Sequence, residues 1–173
     1  MKMSVAVYPG SFDPITNGHL NMIKRGAALF DKLYIVISEN INKKNFFTTD
    51  ERVNLVKFAV AHLDNVEVIV SGNQLTVDLA EDLGATVILR GLRAVTDFEY
   101  EFTMAMTNAK LSTQVETVFL TADNEHMYLS SSMVKEVAKF GGNIKEFVPE
   151  QVVVAIDEKL KQLTQYPSVK SDD

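Results

Sequence analysis

The sequence predicts an α/β fold: a doubly wound, five-stranded parallel sheet with helices on both faces. Three observations lead there. Short β-branched runs alternate with longer stretches of helical periodicity along most of the 173 residues. The runs are apolar throughout, as in strands buried on both faces. Strand–helix alternation repeated this often implies right-handed βαβ units and parallel pairing, the Rossmann-like dinucleotide-binding architecture.

The elements follow in order. "SVAVY" (4–8) reads as the first strand, and 17–30 as a helix with Leu20, Ile23, Ala27 and Phe30 on one face. "KLYIVIS" (32–38) is the second strand. "TTDERVNLVKFAVAHL" (48–63) opens with Thr48 and Glu51 at capping-box spacing and continues as a helix. "VEVIV" (66–70) is the third strand, and "TVDLAEDLG" (76–84) a short helix ending on glycine. "ATVILR" (85–90) is the fourth strand, followed by a helix over 97–111 and a fifth strand, "ETVFL" (116–120). "SSSMVKEVAKFGG" (130–142) is a helix with a serine N-cap and a Gly-Gly stop. "PEQVVVAIDEKLKQL" (149–163) is the last helix, with Pro149 near its start.

Composition narrows the classes. The length and the 46% of hydrophobic residues suit a single domain, expected over 1–165, with a frayed tail at 166–173. No cysteine is present, which excludes a disulfide framework, a thiolate nucleophile and a Cys-based zinc site. The apolar run near the N-terminus is too short for a signal peptide, and no stretch reaches the ~18 apolar residues of a membrane span. A cytoplasmic protein with no membrane partner is expected. With 17 basic and 23 acidic residues the net charge is −6, unlike the basic face of a nucleic-acid binder. The basic residues Lys43, Lys44, Arg90 and Arg93 instead cluster in or near loops, a placement suited to small anions.

In a doubly wound sheet the ligand crevice lies at the C-terminal ends of the strands, where strand order reverses. Two loops should face each other there, "PGSFDPITNGH" and "RGLRAVTD". Gly10 and Gly18 would allow close backbone approach to a ligand. His19 falls in the first turn of a helix, a favourable place for a donor to phosphate; the plainer reading is a helix-capping histidine. Neither G-x-G-x-x-G after the first strand nor G-x-x-x-x-G-K-[ST] occurs. This is neither a dinucleotide fingerprint nor a P-loop.

"TNGH" (16–19) resembles the T/H-x-G-H signature of the nucleotidyltransferase α/β-phosphodiesterase superfamily, with Thr16 where many members have His. "SSSMVK" (130–135) resembles its second motif. Taken with "RGLRAVTDFEYE" (90–101) and "YLSSSMVKEV" (128–137), the chain is similar in one register, over about residues 4–160, to the bacterial phosphopantetheine adenylyltransferase family. The resemblance implies transfer of an adenylyl group from ATP to 4′-phosphopantetheine, giving 3′-dephospho-CoA and pyrophosphate, the penultimate step of coenzyme A synthesis. It also implies Mg²⁺ and a homohexamer, and leaves feedback binding of CoA open.

The same resemblance implies residue roles. His19, Lys43 and Arg93 form the expected catalytic set, with His19 stabilising the transition state. Ser11, Lys43, Thr76 and Arg90 are the expected substrate contacts. The ATP contacts are expected to be Ser11, Phe12, His19, Gly91, Leu92, Arg93, Glu101 and the stretch His126, Met127, Tyr128, Leu129, Ser130, Ser131 and Ser132. Each has a plainer reading beside it. Ser11 could satisfy its own turn, and Lys43 could be a solvated charge, as Lys44 is expected to be. Thr76 could be an ordinary helix-start residue, Glu101 could sit on an exposed face, and a serine is a common N-cap. His62, at a helix end, reads as structural. His126 is expected to contribute backbone.

A phosphate monoester nucleophile, with its second pKa at about 6, needs no general base. That agrees with a site rich in cations and poor in paired carboxylates. Mg²⁺ would be held by phosphate oxygens and water, with no protein metal ligands expected. Two alternatives remain open: a related nucleotidyltransferase acting on nicotinate mononucleotide or glycerol phosphate, and a non-catalytic nucleotide-binding module.

Overall fold

The computed structural model describes residues 3–39 and 44–165. Five strands form one parallel sheet: β1 (Val5–Gly10), β2 (Lys32–Ile37), β3 (Val66–Val70), β4 (Val87–Leu92) and β5 (Glu116–Thr121), in the order β3-β2-β1-β4-β5. The helices are α1 (Asn17–Leu29), α2 (Thr49–Val60), α3 (Thr76–Asp82), α4 (Val95–Leu111), α5 (Ser131–Lys139) and α6 (Glu150–Gln165). The expected parallel, doubly wound sheet is present, and strand order reverses between β1 and β4.

Alternation along the strands divides the core. Ala6 and Tyr8 of β1, Leu33, Ile35 and Ile37 of β2 and Leu89 of β4 pack with Met22, Ile23, Val56, Val134, Val152 and Ile156 from α1, α2, α5 and α6. Val5 and Val7 of β1 and Ile88 of β4 point to the other face and meet Val77, Leu79 and Ala80 of α3. Both faces of β1 are therefore closed, which explains why its run is apolar without alternation.

The helix signals act as read. Thr48 Oγ1 accepts from the Glu51 N–H at 3.2 Å, and Glu51 Oε2 accepts from the Thr48 N–H at 2.7 Å, a complete capping box for α2. Ser130 Oγ accepts from the Met133 N–H at 3.1 Å and caps α5. Gly141, past the end of α5, has φ +74°, a conformation costly to any side-chain-bearing residue.

Three of the boundaries that differ from the expectation bear on the cleft. β1 runs on through Pro9 and Gly10, which pair with Val36 and Ile37. β4 spans 87–92 rather than 85–90: Arg90, Gly91 and Leu92 pair with Phe119, Leu120 and Thr121. Arg90 stays in the strand as expected, and Gly91 and Leu92 join it rather than the loop, because β5 supplies partners for two further residues. α4 begins at Val95 rather than residue 97.

Candidate active site

A cleft of about 450 Å³ opens at the C-terminal ends of β1 and β4. The loop after β1 contributes Ser11 and Phe12, and α1 contributes Gly18 and His19. β4 and the turn after it contribute Arg90, Gly91 and Arg93, and α4 contributes Glu101. His126, Leu129 and the three serines Ser130, Ser131 and Ser132 close the far side. Residues 120 positions apart in the chain meet here because β1 and β4 are neighbours in the sheet.

His19 has two jobs at once. The Thr16 N–H donates to its Nδ1 at 3.1 Å, while Thr16 Oγ1 accepts from the His19 N–H at 3.3 Å. This is a capping box with histidine in the place of the usual Glu. Nδ1 is therefore the acceptor nitrogen, and the neutral ring carries its proton on Nε2 as a donor for the cleft. Burial, then the cations Arg93 and Arg90, push the imidazole down to about 4. The ring stands edge-on to Phe12, 5.1 Å between centroids, and Phe12 in turn meets Tyr8 at 5.6 Å.

Phe12 is the one described non-glycine residue with positive φ, at +46°. Its backbone sits in the sparse left-handed region, and its ring is 1% exposed. A Cβ on Gly10 would lie 2.9 Å from that ring. Gly10 thus makes room for Phe12, where the sequence suggested room for a ligand. A Cβ on Gly18 would meet the Cβ atoms of His126 and Leu129 at ordinary contact distance.

The two arginines are each fixed by a carboxylate and a carbonyl. Arg90 is bidentate to Glu101, with Nε donating to Oε2 at 2.7 Å and Nη2 to Oε1, and Nη1 donates to the Pro9 carbonyl at 2.8 Å. Three of its five N–H groups are engaged, so one hydrogen on Nη1 and one on Nη2 remain for a ligand. Burial works against its charge, but Glu101 outweighs burial and the Arg90 pKa is raised. Glu101 is buried at 9% exposure, not on an open helix face as its sequence context suggested. Arg93 donates from Nη1 to the Leu129 carbonyl at 2.7 Å and from Nε to Asp97 at 3.3 Å. Among the described residues, no group of three or more His, Asp or Glu converges to hold a metal ion.

The serines are not equivalent. Ser131 Oγ donates to the Pro14 carbonyl at 2.7 Å, which takes up its one hydroxyl proton. Ser130 Oγ only accepts, so its proton remains for a ligand, and Ser132 is exposed at the cleft.

Some expected contacts lie elsewhere. Leu92, Met127 and Tyr128 do not line the cleft, and the last two are exposed, at 47% and 61%. Thr76, the first residue of α3, lines a smaller neighbouring hollow of about 160 Å³ with Ser38, Met104 and Asn108. That hollow shares Pro9, Arg90, Tyr100 and Glu101 with the cleft. His126 lines the cleft, and its Nδ1 is buried without a hydrogen-bond partner. His62 is exposed beyond the end of α2. Lys43 lies outside the described residues, and Lys44 is exposed.

Tyr8, Asp97 and Tyr100 line the cleft without having been singled out. Asp97 follows Arg93 by four residues, a helix-pair spacing that could have flagged it. Tyr8 alternates along β1 with residues of the opposite face and carried no signal; burial pushes its hydroxyl up to about 12.

Comparison with known proteins gives the family. The cytidylyltransferase-like family matches residues 7–137. The chain is 55% identical over 151 residues to phosphopantetheine adenylyltransferase of Clostridium botulinum (strain Alaska E43 / Type E3), covering 87% of this chain and 94% of that protein. It is 51% identical over 161 residues to the protein of that name from Clostridium perfringens (strain ATCC 13124), covering 93% and 98%. Alkaliphilus metalliredigens (strain QYMF) has another, 51% identical over 158 residues, covering 91% and 99%. Among solved structures, a Vibrio parahaemolyticus protein described as a nicotinate-nucleotide adenylyltransferase has the same fold, with a TM-score of 0.68 at 16% identity, covering 97% of this chain and 98% of that one. With an ordered cleft at the strand reversal and identity of this extent, the chain belongs to the phosphopantetheine adenylyltransferase family, within the cytidylyltransferase-like nucleotidyltransferases.

Proposed function

We propose that the chain transfers the adenylyl group of ATP reversibly to 4′-phosphopantetheine, releasing pyrophosphate and forming 3′-dephospho-CoA in cytoplasmic coenzyme A synthesis. The acceptor phosphate attacks the α-phosphorus in line. The observation that carries this reading is the convergence of the His19 donor with Arg90 and Arg93 in one cleft. No general base is needed, since the acceptor phosphate is largely a dianion at neutral pH. The chemistry is positioning and charge stabilisation.

His19 donates from Nε2 to the α-phosphate as charge builds there, and Thr16 holds the tautomer that makes this proton available. Arg90 offers its two remaining N–H groups to the acceptor phosphate, a fork suited to two phosphate oxygens. The pantetheine arm then runs toward the hollow lined by Thr76 and Asn108. Lys43 holds the same phosphate. Arg93, the Ser130 hydroxyl and Ser132 take the β- and γ-phosphates, and the N–H groups at the start of α5 add to them. Ser11, His126 and Leu129 surround the nucleotide. The carboxylates of the cleft, Asp97 and Glu101, are held by Arg93 and Arg90 and do not form a protein cage for Mg²⁺. Mg²⁺ would be held by the ATP phosphates and water, where it would offset charge on the phosphate oxygens.

The chain works as a homo-oligomer, a hexamer on the family pattern. Tyr100, Phe102 and Met106 of α4 are 66%, 49% and 53% exposed, apolar surface on the thinly covered face of the sheet. The product's later derivative, CoA, would compete for the same cleft.

The test is pyrophosphate release from ATP with 4′-phosphopantetheine, nicotinate mononucleotide or glycerol phosphate as acceptor. Turnover with 4′-phosphopantetheine alone is expected. Turnover with either other acceptor, or none with any, would replace this reading.

A further inference from the structure

Two residues of the sequence motifs have no part in the chemistry above: Asp13 of "SFDP" and Lys135 of "SSSMVK". We infer that they are positioning residues, a buried lock that sets the acceptor-phosphate side of the cleft against the triphosphate side. The inference rests on the adenylyl-transfer reading.

Asp13 is 3% exposed, directly behind Phe12 in the loop after β1. Its Oδ1 accepts from the Phe47 N–H at 2.8 Å, and its Oδ2 from the Phe46 N–H at 2.9 Å. Oδ2 also accepts from Lys135 Nζ at 2.9 Å. One carboxylate thus joins three elements: the loop after β1, the Phe46 and Phe47 segment leading into α2, and α5. Burial raises the Asp13 pKa, but the Phe46, Lys135 and Phe47 donors outweigh it and the pKa is lowered. The group is a carboxylate at neutral pH. All three neighbours are donors, so only an acceptor-only side chain satisfies them; an amide would turn an NH₂ toward one of them.

Lys135 has a companion. Ser131 lies one turn earlier on the same face of α5, and its hydroxyl donates to the carbonyl of Pro14, the residue after Asp13. α5 is therefore docked on consecutive residues of the loop through two positions four apart. Ser130 and Ser132 at the start of the helix remain directed to the cleft. Lys135 stands about 6 Å further along the helix from Ser131. Its amine is held by Asp13, which makes it an anchor of α5 rather than a phosphate ligand.

In-line transfer needs the two reacting groups about 3–3.5 Å apart, and a displacement of about 1 Å from a remote change can cost about 10²-fold in rate. Neither Asp13 nor Lys135 lines the cleft. Loosening it alters how the two halves face each other more than the grip of either half on its own phosphate.

The experiment compares pyrophosphate-release kinetics of the wild type, Lys135→Met, Asp13→Asn and Lys135→Arg, with amide hydrogen exchange at Phe46 and Phe47 in the ligand-free chain. For Lys135→Met and Asp13→Asn, kcat is expected to fall about 10²-fold, with KM for ATP and acceptor changing by less than about threefold. Lys135→Arg, which keeps charge and donors, is expected to recover most of the loss. The Phe46 and Phe47 amides should exchange faster in Lys135→Met without substrate. Normal kcat in Lys135→Met overturns the inference. A rise in KM for ATP at unchanged kcat also overturns it, since Lys135 would then be a direct phosphate ligand. If Asp13→Asn does not fold, the Lys135 variants decide, because that side chain is 26% exposed. A Lys135→Met chain that does not fold makes the pair purely structural and overturns the inference too. Wild type that transfers no adenylyl group removes the functional reading, while the exchange result still decides whether the lock exists.

Discussion

His19 shows how one side chain can belong to a helix cap and a reaction centre. With Nδ1 taken by the Thr16 N–H, only Nε2 is left to donate. His19→Ala should lower kcat by about 10²–10³-fold, as the loss of one preorganised donor does, in both directions of the reaction. It should also lose about 1 kcal/mol of stability, because half of a capping box goes with it. Steady-state kinetics and a thermal melt check the two effects separately. Arg90→Ala should weaken 4′-phosphopantetheine by roughly 2–5 kcal/mol and ATP by much less, measured by calorimetry with each ligand alone. Equal losses would mean that the two phosphate positions are interchanged. The variant also strands Glu101, buried at 9% exposure, so its melt should fall as well. Glu101→Gln in the same chain should restore part of that stability without restoring affinity.

Among the elements, α1 and α2 begin with the same device and serve different ends. Thr48 and Glu51 cap α2 without lining the cleft, and Glu51 also accepts from Lys159 of α6 at 2.8 Å. Thr16 and His19 cap α1 inside the cleft. Thr48→Ala is expected to cost about 1 kcal/mol in denaturant unfolding and leave kcat unchanged. Thr16→Ala should cost about as much and also lower kcat, because its Oγ1 helps seat the reacting ring. Equal kinetics in the two variants would refute the distinction. α5 differs again: its N-terminus faces the cleft while Ser131 and Lys135 bind the loop after β1, so its position is set by tertiary contacts more than by its cap.

At the scale of the molecule, charge sets how stability follows pH. His19 has its pKa pushed down to about 4 in the folded chain, against 6.5 for the ordinary group. As pH falls below 6.5 the unfolded chain takes up this proton and the folded chain does not, so stability drops until about pH 4, where both are protonated. Asp13 acts at lower pH: its lowered pKa supplies stability above 3.8 that is lost as pH falls through the folded value. Urea unfolding of the wild type between pH 4 and 7 should show the first limb, and His19→Gln should flatten it. An unchanged slope would mean that the imidazole is not held neutral. The two faces of the sheet also differ. α1, α2, α5 and α6 bury one face, whereas the other is covered by α3 and by an α4 that exposes Tyr100, Phe102 and Met106. Light scattering at micromolar concentration should therefore find a species several times the 19.3 kDa of one chain, and a monomer alone would refute the oligomer.

Local chemistry made the strands, helices, caps and parallel winding legible in the sequence. Apolar β-branched runs need burial on both faces wherever they lie, and Thr48 or Ser130 caps whichever helix follows it. The family resemblance of the motifs marked His19, Arg90, Arg93 and the serines as one site, where spacing alone reached only a phosphate ligand at the strand reversal. What the sequence could not settle was which side chains spend their hydrogen bonds on the protein itself. Glu101 looks exposed in its own helix and is buried because Arg90 on β4 reaches it; Ser131 looks like a phosphate donor and is engaged by Pro14. Gly10 makes room for Phe12 rather than for a ligand, and β4 runs on to Leu92 because β5 lies alongside. Apart from the Gly10–Phe12 contact, each of these pairings closes across at least ten residues or between neighbouring strands. Only the folded chain decides them, because a donor's partner is set by distance in space rather than along the sequence.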